Sequence, residues 1–323
     1  MAPVGVQYLR VGLRSTEMLW EVSGRYAPSG SLRYPASVYT EHLRIPVGAG
    51  ALHVERLGRA GPAVVLLHGF GTCSFLWRSV APALASAGCT VVMVDLLGFG
   101  ESDRPAGVAY DLASQAEYVE RALTALRLGA VSVVGQDVGA LVGVILAARH
   151  PGRVQRLALL EAPLPDDLPG PAIRSLQRLS ALSALSANSL FGARPLLEPL
   201  LSDAVHDPAQ MPERLVMRYM APWVGTNGAA ELLQLASAIS LSDNDLNESP
   251  LAGAELFAGQ TLLWYGAGAT LSGKDAAPAR VAAWRALLPA ATLRPLVTAR
   301  APGALVPEDD PAALRAALLA FLA

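Results

Sequence analysis

The chain contains few lysines, cysteines and aromatic residues. Lys274 is its only lysine, so nearly all of its 25 basic residues are arginines, and these are balanced by 27 acidic residues. A net charge of −2 gives no electrostatic reason to expect a nucleic-acid partner. Two cysteines, Cys73 and Cys89, are too few to form a disulfide framework.

Long apolar runs are also missing. The longest, from Val138 to Ala148, is shorter than the roughly 20 residues that cross a bilayer. Residues 1–21 contain Arg10, Arg14 and Glu17 among their apolar residues, so they lack the apolar core of a secretory signal. We therefore expect a soluble cytoplasmic protein with no membrane partner and a small organic molecule as its ligand. Its oligomeric state is open.

Strand and helix patterns alternate along most of the 323 residues, which predicts an α/β fold. The strand pattern stops between Pro163 and Gly259, where helical stretches replace it. We therefore expect an N-terminal arm (1–38), an α/β core (39–163 and 258–323) and a helical insertion (164–257). The predicted strands lie near residues 41–46, 51–57, 63–67, 90–95, 131–135, 155–161, 260–265 and 292–297.

The most informative motif is Gly-x-Asp-x-Gly, which runs from Gly135 to Gly139. It follows a valine-rich strand and opens into an apolar helix, as a nucleophile elbow does. Two glycines relieve the crowding of such a tight turn. The residue at its tip, Asp137, is ionised at neutral pH and needs no histidine to activate it.

This elbow resembles that of the α/β-hydrolase fold, in the aspartate-nucleophile branch of epoxide hydrolases and haloalkane dehalogenases. The stretch 64–71 is similar to the strand and His-Gly loop of that family, and 91–105 to its next strand and loop. The resemblance implies a mostly parallel eight-stranded sheet, with the helical insertion as a cap over the site. It also implies an anion hole built from the backbone N–H groups of Phe70 and Val138.

Two phosphate-loop patterns are weaker alternatives. The stretch from Gly268 to Asp275 has P-loop spacing, but it ends in aspartate where magnesium needs Ser or Thr. The pair Gly69 and Gly71 follows a strand, but Ser74 stands where a dinucleotide fold has its third glycine. We therefore expect neither a cofactor nor a metal site.

Glu161 is the candidate for the acid that orients a catalytic histidine. It ends the strand after the elbow, at a spacing that resembles the dehalogenases. The alternative is an ordinary strand-end glutamate, either solvated or in a salt bridge.

The family's histidine position is occupied by Ala304, so the base that hydrolyses the ester intermediate is missing. Among the other histidines only His206, in the helical insertion, is considered as a substitute. If Asp137 and Glu161 face each other across the space beside Ala304, one of the two carboxyls is expected to have a raised pKa.

The halide-binding side chains of dehalogenases are also missing, because Phe70 and Val138 offer no side-chain N–H. Phe70 is more typical of epoxide hydrolases, in which tyrosines of the cap protonate the epoxide oxygen. Tyr219 is the one tyrosine in the insertion and could instead be a packing residue. Trp223 is expected to line the pocket.

Three functions remain open. The first is a cofactor-free enzyme that has lost hydrolysis and acts as a lyase, cyclase or carbon–carbon bond-forming enzyme, with Asp137 as its base. The second is an epoxide-hydrolase-like enzyme with Asp137 as its nucleophile. The third is a non-catalytic protein that binds a ligand. The apolar insertion predicts a medium-sized apolar organic molecule in each case.

Overall fold

The computed structural model describes residues 7–8, 40–182, 192–225, 227–241, 249–266, 276–298 and 304–323. Within them, one sheet runs in the order β1-β2-β3-β5-β4-β6-β7-β8-β9. Its strands are β1 (Gln7–Tyr8), β2 (Thr40–Pro46), β3 (Ala51–Leu57), β4 (Ala63–Leu67), β5 (Thr90–Val94), β6 (Val131–Gln136), β7 (Val154–Leu160), β8 (Gln260–Gly266) and β9 (Thr292–Thr298). All eight predicted strands are present, and β1 is a two-residue addition at one edge. Every neighbouring pair from β5 to β9 is parallel.

Helices connect and flank these strands. They are α1 (Ala81–Ser86), α2 (Leu112–Ala125), α3 (Val138–Arg149), α4 (Pro171–Leu182), α5 (Arg194–Asp203), α6 (Glu213–Met220), α7 (Gly228–Ala238), α8 (Ala276–Leu287), α9 (Val306–Asp309) and α10 (Pro311–Leu322). Between β7 and β8 the described residues form helices and no strand. The exact bounds of the helical insertion stay a prediction.

The strands differ in how they are buried. The central strands β5 and β6 are buried along their whole length, as expected of parallel strands that are covered on both faces. In β2 and β3, buried and partly exposed residues alternate. Leu43 and Val54 face the core, whereas His42 and Glu55 lie on the other face.

The parallel register brings the candidate site together. Leu67 of β4 pairs with Gly135 of β6, and Gln136 of β6 pairs with Leu160 of β7. Because parallel strands end at the same edge of a sheet, the loops that follow β4, β6 and β7 leave from one edge.

Two further predictions concern other parts of the chain. Most of the predicted arm and the stretch 267–275, with its P-loop spacing, lie outside the described residues. In the part of the chain that is described, no helix is both long and apolar enough to span a membrane.

Candidate active site

Asp137 lies on the turn between β6 and α3, where the sequence predicted an elbow. Its φ is 53°, in the left-handed region that side chains other than glycine rarely adopt. The Asp137 backbone N–H donates to the carbonyl of Leu160 in the neighbouring strand at 3.0 Å. The surrounding sheet therefore holds the strained backbone in place, as is common at functional sites.

Glycines make room for this turn. A Cβ on Gly139 would lie 2.3 Å from the carbonyl oxygen of His68, which is closer than real atoms approach. A Cβ on Gly69 would lie 2.9 Å from the Cβ of Asp137. Helix α3 and the loop after β4 can therefore reach Asp137 only with glycine at these two positions.

The two N–H groups expected to form the anion hole converge on Asp137 itself. The Phe70 backbone N–H donates to Oδ2 of Asp137 at 3.1 Å. The Val138 backbone N–H also bonds to this carboxylate. One face of the carboxylate is thereby held in place by two main-chain donors.

The pKa of Asp137 is raised above the usual range of aspartate. Burial is the leading cause, and the hydrogen bonds from Phe70 and Val138 partly oppose it. The sequence predicted a raised pKa from repulsion by Glu161. The direction of the shift agrees for Asp137, but its cause is desolvation, which disfavours the charged form, and Glu161 is not among the causes.

Glu161 follows β7 at the same edge of the sheet. It is buried, at 6% exposure, and its φ of 46° is also in the left-handed region. Its backbone N–H donates to the carbonyl of Trp264 at 2.9 Å. Burial is the main cause of the raised pKa of Tyr265, and the charge of Glu161 adds to it. Glu161 is therefore not a solvated strand-end residue; its catalytic role stays a prediction.

Ala304 lies beside the elbow, as its place in the sequence predicted. Its carbonyl accepts a hydrogen bond from the side-chain amide of Gln136, the residue before Asp137. Gln136 is completely buried, and its side-chain oxygen has no hydrogen-bond partner among the described residues. An alanine at this point offers no group that can take a proton from water.

Among the described residues, no hydrogen bond joins a histidine side chain to the Asp137 carboxylate. The backbone N–H of Leu96 donates to Nε2 of His68 at 3.0 Å, so Nδ1 carries the proton and donates to the carbonyl of Gly69 at 2.8 Å. His68 thus holds the loop structure. His206 is exposed, and His150 contacts Glu117 at the far end of α3. The hydrogen bonds of the Asp137 carboxylate go to main-chain N–H groups instead.

Tyr219 in α6 is buried, and its hydroxyl donates a short hydrogen bond to Glu308. Glu308 also accepts two hydrogen bonds from the guanidinium of Arg78, at 2.5 and 2.6 Å. Burial and the charge of Glu308 raise the pKa of Tyr219 well above its ordinary value. This geometry favours a packing and anchoring role for Tyr219 over that of a free proton donor.

Trp223 is buried and belongs to a series of aromatic contacts. Its ring meets Phe99 edge-on at 6.1 Å between centroids, and Phe99 meets Phe70 at 5.6 Å. Aromatic side chains therefore connect the loop that carries the Phe70 N–H group with the helical insertion. Its role as a pocket residue stays a prediction.

Sequence reasoning missed Gln136, Arg78 and Glu308. Arg78 and Glu308 are 230 positions apart, so no local pattern pairs them. In the sequence, Glu308 belongs to an acidic stretch before the last helix, and nothing there indicates a partner for it. In the sequence, Gln136 is recognisable only as the polar residue at the end of a buried strand.

Comparisons with known proteins agree with this fold. The family model described as "alpha/beta hydrolase fold" matches residues 62–207. The chain is 37% identical over 131 residues to a haloalkane dehalogenase of Mycobacterium marinum, covering 40% of this chain and 42% of that protein. It is 33% identical over 165 residues to the bifunctional epoxide hydrolase 2 of Rattus norvegicus, covering 49% of this chain and 30% of that protein.

The match to solved structures is longer. The match to the crystal structure of Cfl2 from Burkholderia cenocepacia covers 88% of this chain and 96% of the Cfl2 chain, with a TM-score of 0.70 and 27% sequence identity. The matches to the two curated relatives span less than half the length of each. Fold, elbow and relatives agree: the chain has the α/β-hydrolase fold, and the part that matches is similar to haloalkane dehalogenases and epoxide hydrolases.

Proposed function

We propose that this chain is an α/β-hydrolase-fold enzyme that has lost ordinary hydrolysis and uses Asp137 for cofactor-free acid–base chemistry. The observation that carries the proposal is the pairing of a well-held Asp137 carboxylate with an alanine at residue 304. The elbow retains the charged group, while the base that would activate water is missing.

The chemistry follows from what the site keeps. Hydrolysis through an aspartyl ester needs a second base, because the ester must be attacked by an activated water. A carboxylate that forms no ester can take a proton from a substrate O–H or C–H and return it to the oxygen that leaves carbon. The raised pKa of Asp137 makes it a stronger base than an ordinary aspartate. Cyclisation, elimination or carbon–carbon bond formation are reactions of this kind.

The surroundings of Asp137 favour an apolar substrate. Phe70 and Val138 supply main-chain N–H groups while their side chains are apolar. Phe99 and Trp223 extend the apolar contacts toward the helical insertion. A medium-sized organic molecule with one polar reacting group fits these residues.

An epoxide-hydrolase-like reaction is the second candidate. It is favoured by the hydrogen bond to Oδ2 of Asp137, which leaves the other carboxylate oxygen to attack carbon. Dehalogenation is disfavoured despite the dehalogenase relatives, because Phe70 and Val138 carry no side-chain N–H for a halide. A protein that only binds a ligand would need neither the strained elbow nor its charge.

One substrate separates these functions. An apolar epoxide with an internal hydroxyl group can cyclise, hydrolyse or alkylate the protein. Incubation in ¹⁸O-labelled water, with mass spectrometry of both product and intact protein, measures all three outcomes. We expect an unlabelled cyclic ether, an isomer of the substrate, from the wild-type chain and not from the Asp137→Asn variant.

The other outcomes contradict the proposal in distinct ways. A labelled diol over many turnovers would show that hydrolysis survives. A stable adduct on Asp137 would show a nucleophile without a second step, and Ala304→His should then release it. Binding of the unchanged epoxide would favour the non-catalytic alternative.

A further inference from the structure

His42, His53 and Glu55 share one face of the β2–β3 hairpin. His42 lies directly opposite Glu55 in the antiparallel register, and His53 precedes Glu55 by two residues. Paired residues of antiparallel strands project to the same side, as do alternate residues of one strand. The register therefore gathers two imidazoles and one carboxylate on the face turned away from Leu43 and Val54.

The spacing of these groups suits a metal ion. One potential ligand atom from each of the three side chains lies within 4.8 Å of the other two. Nδ1 of His42 and Nε2 of His53 are 3.5 Å apart. Zinc–nitrogen bonds of 2.0–2.1 Å in a tetrahedron place neighbouring ligand atoms about 3.4 Å apart. The two imidazole nitrogens are already at that separation.

A carboxylate behind His53 orients its ring. Nδ1 of His53 is 3.0 Å from Oδ2 of Asp95, so the proton of the neutral imidazole lies on Nδ1 and the lone pair of Nε2 faces His42. Asp95 is itself fixed by the backbone N–H groups of Ser74 at 2.6 Å and Glu101 at 2.8 Å. A histidine held by a carboxylate through its second nitrogen is the usual arrangement around bound metal ions.

The charges around the cluster favour a cation. Burial by itself lowers the pKa of His53, but the carboxylates of Asp95, Glu55 and Glu101 raise it overall. Arg44 lies on the same face opposite His53, and its guanidinium is paired with the carboxylate of Asp103. The neighbouring carboxylates therefore favour positive charge at the ring of His53. An ordinary contact between two histidines would not explain why the carboxylate of Glu55 lies beside them.

From this geometry we propose that His42, His53 and Glu55 bind a divalent transition-metal ion of the zinc type. Two imidazoles and one carboxylate select zinc, cobalt or nickel over magnesium and calcium, which prefer oxygen ligands. The three side chains are partly exposed, so an ion can enter from solvent, and water can complete its coordination. The bound ion bridges β2 and β3 and stabilises this end of the sheet.

Isothermal titration of the full chain, free of any affinity tag, tests the proposal with Zn²⁺ as the probe. A pH near 8 keeps the imidazoles neutral. We expect one equivalent of Zn²⁺ to bind the wild-type chain and to raise its midpoint of thermal unfolding. His42→Ala and Glu55→Gln should each weaken binding at least about tenfold. Mg²⁺ should not bind at this position.

Two controls make the result specific. His206→Ala removes an exposed histidine outside the cluster, and Cys89→Ser removes a thiol. Both should bind Zn²⁺ like the wild type. Co²⁺ should give the intense visible absorption of a tetrahedral site in the wild type and lose it in Glu55→Gln, the variant closest to the wild type in shape.

Three results would overturn the site: a wild-type chain that takes up no Zn²⁺, equal affinity in the wild type, His42→Ala and Glu55→Gln, or an equal loss in the control variants. Circular dichroism of each variant separates loss of a ligand from loss of the fold. The two ligand variants lie on different strands, so a failure to fold of one leaves the other as a test.

Discussion

The Phe70 backbone N–H donates a 3.1 Å hydrogen bond to Oδ2 of Asp137, across 67 positions of sequence. This contact joins the loop after β4 to the turn after β6. Because Val138 contributes a second N–H, the carboxylate is held by main-chain donors, which every substitution except proline retains. Burial still disfavours the ionised form of this carboxylate, and several consequences of that penalty can be measured.

Asp137→Asn should stabilise the protein at neutral pH. A raised pKa in the folded state means that Asp137 contributes stability when protonated, below its unfolded pKa, and that this contribution is lost as pH rises through the folded value. The variant avoids this loss, and we expect a gain of about 0.5–2 kcal/mol in the free energy of unfolding, the range that single stabilising substitutions commonly give. Urea unfolding at several pH values measures the difference.

The advantage of the asparagine variant should shrink as the pH falls toward the pKa of an ordinary aspartate. A variant less stable than the wild type at pH 7 would contradict a carboxylate destabilised by burial. Asp166→Asn removes the charge of an exposed aspartate in the insertion, so it serves as the control.

Activity should depend on the ionisation of Asp137. A base must be deprotonated, so the rate should fall as the pH decreases through the pKa of Asp137. Because burial raises that pKa, the midpoint should lie above the range of exposed aspartates. The pH profile of kcat/KM for the cyclisation reaction measures it. A profile that is flat through this acidic range would show that another group acts as the base.

Gly139→Ala should destabilise the chain although alanine favours helices. The added Cβ would meet the carbonyl oxygens of His68 at 2.3 Å and Leu67 at 2.7 Å, so the elbow must shift. Overpacking of this kind costs about 1–3 kcal/mol. Thermal and urea unfolding measure the loss.

Gly129→Ala is the matched control, because a Cβ there meets nothing within 4 Å and the residue is exposed. Its effect should stay within about 0.5 kcal/mol. Equal stability of the two alanine variants would mean that the turn is not packed as tightly as described.

The buried pair Arg78–Glu308 should show strong coupling. Removing one partner leaves an uncompensated buried charge, which costs about 3–5 kcal/mol. Arg78→Met and Glu308→Gln should therefore each be destabilising, while the double variant should lose clearly less than the sum of the two. A double-mutant cycle measured by urea unfolding gives the coupling energy.

Two comparisons accompany that cycle. Tyr219→Phe removes one hydrogen bond to Glu308 and should cost about 1 kcal/mol. Arg194→Met breaks an exposed arginine–glutamate pair with Glu198 and should leave the unfolding midpoint unchanged. Additive losses for Arg78 and Glu308 would show that they do not act as a pair.

The positions of the strands and of the elbow could be predicted from sequence because they depend on local chemistry. Valine-rich runs mark buried strands, and glycines two residues on either side of Asp137 mark a turn that admits no side chain there. The place of Ala304 was implied by the resemblance to the family. In the structure its carbonyl accepts a hydrogen bond from Gln136, the residue before Asp137.

The choice of polar partners was decided only by the tertiary structure. Arg78 and Glu308 meet because the short helical segment Ser74–Ser79 packs against α9, and the hydroxyl of Tyr219 joins them there. The pKa of Asp137 depends on what excludes water from it, which is a property of the packed site and not of the motif. His42 and His53 read as strand residues in the sequence, and only the β2–β3 register sets them beside Glu55. Local patterns specify where the backbone turns and which face is apolar, whereas the neighbours of a buried charge depend on contacts between distant segments.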